Sequence, residues 1–158
     1  MRTFPKGKLV AIYRDGRDVV VSDRSFQQYY RRYPTWSFRQ SALRWRHDME
    51  AQFRACERAD LYTLAYEDLA QNGTDAIRNL LDYLELDAPS DLLDDMVERS
   101  SFSFRSGRQR GEEDRYSFLR KGIIGDWRNH LDPDQINLFK AVTGDLLIRL
   151  GYESSNDW

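Results

Sequence analysis

Residues 8–22 read KLVAIYRDGRDVVVS, and this stretch carries the pattern that decides the fold. The apolar, partly β-branched run 8–13 predicts a buried strand, and residues 14–18 predict the turn that follows it. From Val19 to about Tyr30 we expect a helix. A strand that passes through a glycine turn into a helix directs main-chain N–H groups at whatever lies beyond the strand. Arg14 adds a planar cation, which makes the turn a candidate anion site, although an Arg14–Asp18 ion pair explains these residues equally well.

A second strand is predicted at residues 61–66, which read LYTLAY and lead into the polar residues Glu67-Asp68. Between the two strands, residues 37–59 carry apolar side chains at steps of three or four. These side chains, which predict one buried face of a long helix, are Ala42, Trp45, Met49, Phe53 and Cys56. Residues 33–35, Tyr-Pro-Thr, separate this helix from the first one.

The second half of the chain is predicted to be mostly helical. Apolar spacing predicts a helix over residues 75–86 with Thr74 as its N-cap, and a further helix with Ser90 as its N-cap. Residues 100–118 hold two Gly and four Arg without apolar periodicity, which predicts a long basic loop of the kind that often carries function. The order Asp132-Pro133-Asp134-Gln135 predicts a helix start, with the helix running to about Leu150 and closed by Gly151.

Two strands separated by helices indicate an α/β fold with few parallel strands and many helices. The chain has 158 residues, of which 41% are hydrophobic and 32% charged, and this is the size and mix of a single domain over residues 1–158. No apolar run approaches the roughly 20 residues that cross a bilayer. The single cysteine, Cys56, excludes an internal disulfide and a cysteine-based zinc site, so we expect no metal and a reducing, cytoplasmic location.

Charge is unevenly distributed along the chain although the net charge is only −2. Residues 1–54 hold 12 basic and five acidic side chains, residues 55–100 hold three and 12, and residues 101–122 hold six and three. The two basic segments either converge on one anion or pair with the acidic segment between them. A sequence pI of about 5.7 argues against nucleic acid as the partner.

A second candidate anion site lies at residues 118–129, which read FLRKGIIGDWRN. Two adjacent cations precede a glycine whose main chain allows close approach, and Trp127 offers an anchor for the loop. This segment resembles the RKG-x-x-GDW segment of the sulfotransferases that use 3'-phosphoadenosine 5'-phosphosulfate. Residues 14–22 are similar to the 3'-phosphate motif of that family, and Tyr66-Glu67-Asp68-Leu69 is similar to its Tyr-Glu-Asp-Leu segment. The order and spacing of the three segments agree with the family over essentially the whole chain.

The resemblance implies a P-loop-NTPase-like sulfotransferase fold and 3'-phosphoadenosine 5'-phosphosulfate, or its product adenosine 3',5'-bisphosphate, as the cofactor. It further implies roles for seven residues. Arg14 and Ser22 hold the 3'-phosphate of that cofactor, and the Arg120-Lys121-Gly122 loop closes over the same phosphate. Tyr66 contacts the adenine and Phe102 packs on its ring. Without the motif, Tyr66 reads equally well as a core tyrosine at a strand end.

Two working parts of the family have no match here, namely the phosphosulfate loop and the histidine base. Phe4-Pro5-Lys6-Gly7 is interpreted as a connector, and His47 and His130 as surface or capping residues. We therefore interpret the chain as the C-terminal portion of a sulfotransferase, with doubtful activity alone and an unknown hydroxyl or amine acceptor. The alternatives are a non-catalytic module that binds 3'-phosphoadenosine nucleotides and an interaction fragment that associates through an exposed half-sheet.

Overall fold

The structure is a computed structural model that describes residues 7–29, 36–57 and 60–158. In these residues it forms two strands, eight α-helices and one 3₁₀ helix. In chain order they are β1 (Leu9–Tyr13), α1 (Gly16–Tyr29), α2 (Phe38–Cys56), β2 (Leu61–Ala65), α3 (Tyr66–Gln71), α4 (Gly73–Leu84), α5 (Ser90–Ser100), α6 (Phe102–Ser106), the 3₁₀ helix (Asp126–Asn129), α7 (Pro133–Thr143) and α8 (Leu146–Arg149).

The chain divides into two compact units. The first, called the strand unit, comprises residues 1–13 and 52–110, and the second, called the loop unit, comprises residues 14–51 and 111–158. The expectation of one folding domain over residues 1–158 concerns independent folding and stays a prediction.

The strand unit is built on a parallel pair in which Leu9 of β1 lies opposite Leu61 of β2 and Tyr13 lies opposite Ala65. Both predicted strands are therefore present, each within one residue of its expected bounds. Burial along β1 alternates, and Val10 and Ile12 are 40% and 55% exposed, so the expectation of a fully buried strand is wrong. Only one side of β1 is covered by the described residues.

The helices of the strand unit pack on β2 and on one another. Leu64 and Ala65 of β2 are buried, as are Ala76 of α4 and Leu93 of α5. Gly73 opens α4 where an added Cβ would lie 2.9 Å from a methyl group of Val97, so a glycine suits this close approach of α4 and α5. The predicted N-caps Thr74 and Ser90 are wrong. Helix α4 begins at Gly73, one residue before Thr74, helix α5 begins at Ser90 itself, and neither helix has a side-chain cap.

Residues 100–118 are less irregular than expected. Ser100 ends α5, and Ser101 caps the short helix α6 by accepting a hydrogen bond from the Phe104 N–H. The side-chain oxygen of a serine satisfies an N–H that has no partner at the start of a helix, and this lets α6 form without an apolar period. The irregular part is confined to residues 107–118 and the segment that follows.

The loop unit has its core between α2 and the C-terminal helices. Trp45 of α2 lies 5.7 Å from Phe139 of α7, measured between ring centroids, and both are buried. Ala42, Trp45 and Met49 form the buried face predicted for this helix, whereas Cys56 is exposed. Gly16 is the first residue of α1, and an added Cβ there would lie 2.4 Å from the Trp45 ring.

Helix α1 thus begins at Gly16 rather than at Val19, and the glycine serves close packing rather than a turn. The predicted break at residues 33–35 and the predicted connector residues 4–6 lie outside the described residues. At the other end, the predicted capping box of α7 is confirmed: the Asp132 side chain accepts from the Gln135 N–H. The single long helix expected up to Leu150 is wrong, since Gly144, with a φ of +59°, separates α7 from α8.

Candidate functional site

Arg14 lies directly after β1 and reaches the second basic segment of the loop unit. Its Nη2 lies 3.5 Å from Oδ2 of Asp18 and donates a hydrogen bond of 3.1 Å to the carbonyl oxygen of Ile123. Its own carbonyl accepts a 3.2 Å hydrogen bond from Nε1 of Trp45. The Arg14–Asp18 pair considered from the sequence is therefore present, and the same guanidinium also contacts the Arg120–Trp127 segment.

Asp18 ties the 120–127 loop to helix α1. Its side chain is 1% exposed and accepts main-chain hydrogen bonds from the N–H of Gly125 at 2.7 Å and from the N–H of Trp127 at 2.9 Å. Hydrogen bonds to an ionised carboxylate are stronger than those between neutral groups. Gly125 has a φ of +75°, a conformation that other residues adopt only under strain, and this turn brings both N–H groups to one carboxylate.

Four side chains converge on the buried carboxylate of Asp126. It accepts from Nζ of Lys121 at 2.7 Å and from Nη2 of Arg120 at 2.9 Å. Asn129 and His130 each contribute a nitrogen at 3.0 Å. Burial raises the pKa of Asp126, but the hydrogen bonds from Lys121, Asn129 and Arg120 outweigh it and hold that pKa well below its usual range. We call these five residues the Asp126 cluster, and its carboxylate is ionised at neutral pH.

Arg120 has a second carboxylate contact at Glu113. Its Nη1 donates to Oε1 of Glu113, and this hydrogen bond lowers the pKa of the Glu113 carboxyl. Main-chain hydrogen bonds from the N–H of Asp114 to the Arg120 carbonyl and from the N–H of Gly111 to the Lys121 carbonyl, both 2.9 Å, join the two stretches of this loop. The Arg120 and Lys121 side chains remain 14% and 20% exposed.

Two further site residues of the loop unit stand at defined positions. Gly122 has a φ of +66°, which lies in the left-handed region that favours glycine, and its expected close approach to an anion stays a prediction. Ser22 is exposed on α1, four residues after Asp18, and residues at that spacing share a helix face. Arg14, Asp18 and Ser22 therefore follow one line along α1 and the residues before it.

The two predicted adenine contacts, Tyr66 and Phe102, belong to the strand unit. Tyr66 is the first residue of α3 and is half-buried. Phe102 opens α6 and is 7% exposed, with the guanidinium carbons of Arg108 and Arg110 at 5.4 and 6.0 Å from its ring centroid. Little of the Phe102 ring is left to face a purine, whereas Tyr66 retains accessible surface.

The histidines match their expected structural roles. His47 is exposed on α2, and His130 lies against Asp126 at the end of the 3₁₀ helix. His130 thus supports the loop through Asp126.

Sequence reasoning missed Arg17, a buried arginine of the loop unit with both ionic and aromatic partners. Arg17 is 2% exposed and contacts Asp15, Glu153 and the rings of Trp127 and Trp158. We call these five residues the Arg17 cluster. Its only signal in the sequence is a second arginine in the 14–18 turn, which does not reveal that both indole rings and Glu153 come from more than 100 residues away.

Comparison with known proteins places this geometry in a family. A family model described as a sulfotransferase domain matches residues 3–151. The chain belongs to the sulfotransferase-domain family. The matched residues include Asp18, Asp126 and the residues that contact them. The match confirms the resemblance found in the three sequence segments.

Curated relatives of this sulfotransferase domain include mouse sulfotransferase 1 family member D1, 29% identical over 154 residues. That match covers 84% of this chain and 52% of the relative. The guinea-pig 3-beta-hydroxysteroid sulfotransferase is 22% identical over 157 residues, covering 87% of this chain and 55% of the relative. The chain spans about half the length of the curated relatives it matches.

Solved structures show the same fold. Mouse sulfotransferase SULT7A1, described as complexed with PAP, superposes with a TM-score of 0.73 at 17% identity, covering 94% of this chain and 60% of that one. Retinol dehydratase, described as a complex with androsterone and the inactive cofactor PAP, gives 0.58 at 22% identity, covering 89% and 47%. The predicted α/β sulfotransferase fold with few parallel strands is confirmed. Within residues 7–29, 36–57 and 60–158, no helix is long and apolar enough to span a membrane.

Proposed function

We propose that this chain binds 3'-phosphoadenosine 5'-phosphosulfate and its product adenosine 3',5'-bisphosphate, as part of an enzyme that transfers a sulfuryl group to a hydroxyl or amine acceptor. The observation that carries the proposal is the Asp18 carboxylate, which accepts N–H groups from Gly125 and Trp127 and so holds the second basic segment against the first. Family membership and the named relatives support the same donor.

The residues present fit a dianionic 3'-phosphate. Arg120 and Lys121 place two cationic groups beside Gly122, which has a φ of +66°, and Arg14 contacts the same loop at Ile123. Ser22 adds a hydroxyl on the face of α1 that carries Asp18. A phosphate that accepts several charge-assisted hydrogen bonds is bound more strongly than one that accepts neutral ones. In this proposal these five residues bind the 3'-phosphate, and an incoming phosphate competes with Glu113 for Arg120.

We assign the adenine end to Tyr66 and Phe102, as the family resemblance implies. Tyr66 offers a phenol ring and hydroxyl at the start of α3, and aromatic side chains suit a purine. We keep Phe102 in the proposal as a residue that supports the adenine site, since its burial leaves little ring surface for direct stacking.

No residue of this chain is assigned to the sulfuryl-transfer step itself. When bound, 3'-phosphoadenosine 5'-phosphosulfate supplies the activated sulfuryl group. The chain's own residues hold the nucleotide, and holding a reactant in place accounts for a large part of catalysis of this type. Because neither His47 nor His130 matches the family's base, we expect the 158-residue chain to transfer sulfate slowly or not at all.

Isothermal titration calorimetry tests the binding proposal. We expect adenosine 3',5'-bisphosphate to bind at least about tenfold more tightly than adenosine 5'-monophosphate, since one charge-assisted contact is worth about that factor. Arg78→Ala serves as a control, because it removes an exposed arginine of α4 that pairs only locally with Asp75 at 2.6 Å. Equal affinity for the two nucleotides overturns the assignment of Arg14, Ser22, Arg120 and Lys121.

A sulfate-transfer assay separates the enzyme from a non-catalytic nucleotide-binding module. Transfer to a phenol or alcohol by the purified chain identifies an enzyme and reassigns the base. Tight bisphosphate binding with no transfer by any preparation that contains this chain identifies a binding module.

The exposed side of β1 favours a second role, association with another copy of the chain. Val10 and Ile12 are apolar, adjacent on one face and 40% and 55% exposed. Exposed apolar patches often mark association surfaces. We expect Ile12→Lys to reduce self-association in sedimentation velocity, and identical sedimentation of the two proteins at all concentrations contradicts this role.

A cytoplasmic location is part of the proposal and is supported by the single cysteine.

A further inference from the structure

Arg17 is enclosed on every side by groups of the loop unit. Its guanidinium carbon lies 4.1 Å from the ring centroid of Trp127 and 4.4 Å from that of Trp158. In the guanidinium plane, Nε and Nη2 donate to Asp15 at 2.7–3.1 Å, and Nη1 donates to Glu153. The carboxylates occupy the edges of the guanidinium and the indole rings occupy its faces, an arrangement that arginine adopts better than lysine.

The Arg17 cluster joins the 152–158 segment to the loop that carries Arg120 and Lys121. Trp127, like Gly125, is a residue of that loop whose N–H donates to Asp18, and it directly follows Asp126. The Trp158 ring packs edge to face on Trp127 at 5.8 Å with an angle of 78° between planes. Trp127 is therefore held by its main chain on Asp18 and by its ring on Arg17 and Trp158.

Trp158 is itself fixed by helix α7. Lys140 lies 4.6 Å from the Trp158 ring centroid and donates a hydrogen bond to the main-chain oxygen of Trp158. The same ring packs on the buried group formed by Val21, Trp127 and Leu131. The 152–158 segment is thus a built part of the loop unit and reaches from α7 to the loop.

We infer that Trp158 is a positioning residue for the 3'-phosphate: through Arg17 and Trp127 it holds Asp126, and with it the Arg120 and Lys121 cations, in the binding arrangement. The inference rests on the proposed function for the identity of the anion. The Trp158 ring contacts Trp127, which directly follows Asp126, and this contact transmits its effect to the anion. Loss of its ring opens one face of Arg17 to water and removes the edge-to-face contact that fixes Trp127.

The first test measures nucleotide affinity in Trp158→Ala, Trp158→Phe and the control Trp36→Ala by calorimetry. Trp36 is a matched control because it also stacks on an arginine, Arg44, at 4.4 Å. We expect Trp158→Ala to lower the affinity for adenosine 3',5'-bisphosphate about tenfold, the size of a desolvated cation–π contact. The affinity for adenosine 5'-monophosphate is expected to stay unchanged. Trp158→Phe restores most of the affinity because it keeps an aromatic face on Arg17. Equal weakening of both nucleotides, or no rescue by Phe, overturns the inference.

The second test needs no nucleotide and separates this inference from the proposed function. Trypsin cleaves after lysine and arginine, so the rate of cleavage after Arg120 and Lys121, divided by that after the exposed Arg78, reports release of the loop. We expect this ratio to rise several-fold in Trp158→Ala and to stay near the wild-type value in Trp158→Phe and Trp36→Ala. A wild-type ratio in Trp158→Ala overturns the inference. If the wild-type protein shows no preference for the bisphosphate, the proposed function fails, and the trypsin ratio still decides the positioning role.

Discussion

The Arg17 cluster and the Asp126 cluster both pair arginine with carboxylate in the loop unit, and they differ in how far their cations are enclosed. Arg17 is 2% exposed and faces two carboxylates, so its cluster carries an excess of negative charge. In the Asp126 cluster, Arg120 and Lys121 surround one buried carboxylate and remain 14% and 20% exposed. We propose that an incoming anion meets the cations of the second group, where it competes with Glu113 for Arg120.

This difference shows that membership of a basic motif does not decide which arginine serves a ligand. Arg14 and Arg17 are only three residues apart in the sequence, yet Arg14 contacts the 120–127 loop and Arg17 packs on the Trp127 ring. We therefore expect the Arg17 cluster to stabilise the fold, and we propose that the cations of the Asp126 cluster bind the ligand. The predictions that follow separate these two contributions, from the largest expected effect to the smallest.

Arg17→Met is expected to cost the most stability. It leaves Asp15 and Glu153 without their cation, and breaking a buried ion pair from one side costs about 3–5 kcal/mol. Urea denaturation measures the loss. Arg44→Met, which removes an arginine whose side chain is 58% exposed, is the control and is expected to cost less than about 1 kcal/mol. Similar, small losses in both variants mean that the Arg17 cluster does not stabilise the fold.

Arg120→Ala is expected to act mainly on binding, with a smaller loss of stability because Asp126 keeps Lys121, Asn129 and His130 as partners. Loss of a hydrogen bond to a charged group lowers the affinity for adenosine 3',5'-bisphosphate roughly 10- to 100-fold and has little effect on the affinity for adenosine 5'-monophosphate. Arg115→Ala is the matched control, because Arg115 contacts the same Glu113 at 3.5 Å and its side chain is 68% exposed. If the control lowers affinity as much as Arg120→Ala does, the effect is general electrostatics and the specific role of Arg120 is wrong.

Asp126→Asn is expected to change the pH dependence of stability. Since the pKa of Asp126 is lower in the folded protein than in the unfolded chain, its contribution is present above about pH 4 and is lost as the pH falls. The free energy of unfolding of the wild-type protein should therefore fall between pH 5 and pH 3 by about 1–2 kcal/mol more than that of the variant. Parallel pH curves for the two proteins would show that the hydrogen bonds to Asp126 do not stabilise its ionised form.

Glu113→Gln is expected to have the smallest effect and the opposite sign. It removes the carboxylate that a phosphate has to displace from Arg120. Because that ion pair contributes about as much free energy as a surface ion pair, affinity for the bisphosphate rises about two- to threefold. Glu112→Gln changes the neighbouring charge equally and serves as the control. A loss of affinity in Glu113→Gln alone means that Glu113 orients Arg120 rather than competing with the ligand.

Much of the fold was predictable from local pattern. The strands 9–13 and 61–65, the buried face of α2 and the capping box at Asp132 each depend on spacing along a short segment, which the sequence displays directly. The caps at Thr74 and Ser90 failed because helix starts depend on the main-chain angles of the preceding residue, here Asn72 and Pro89. Gly144 breaks the last helix through a single main-chain conformation that apolar periodicity does not report.

The candidate site was predictable only as far as its motifs reach. Arg14, Arg120, Lys121 and Gly122 were identified from the 14–22 and 118–129 segments. The hydrogen bonds from the 120–127 loop to Asp18 were not identified, and neither was the Arg17 cluster, because each depends on contacts across more than 100 residues. A carboxylate four residues after an arginine suggested a local ion pair, and its capture of two main-chain N–H groups is a property of the folded chain.

The most direct test of the central claim is a titration of ¹⁵N-labelled protein followed by NMR. The account predicts that adenosine 3',5'-bisphosphate shifts the main-chain amide signals of residues 120–125 saturably, and that adenosine 5'-monophosphate at the same concentration leaves them in place. The signal of the Trp127 indole N–H is expected to shift little, because Arg17 and Trp158 hold the ring in place. Equal shifts with both nucleotides, or shifts confined to residues outside the 120–127 loop, contradict the claim that this loop, hydrogen-bonded to Asp18, binds the 3'-phosphate.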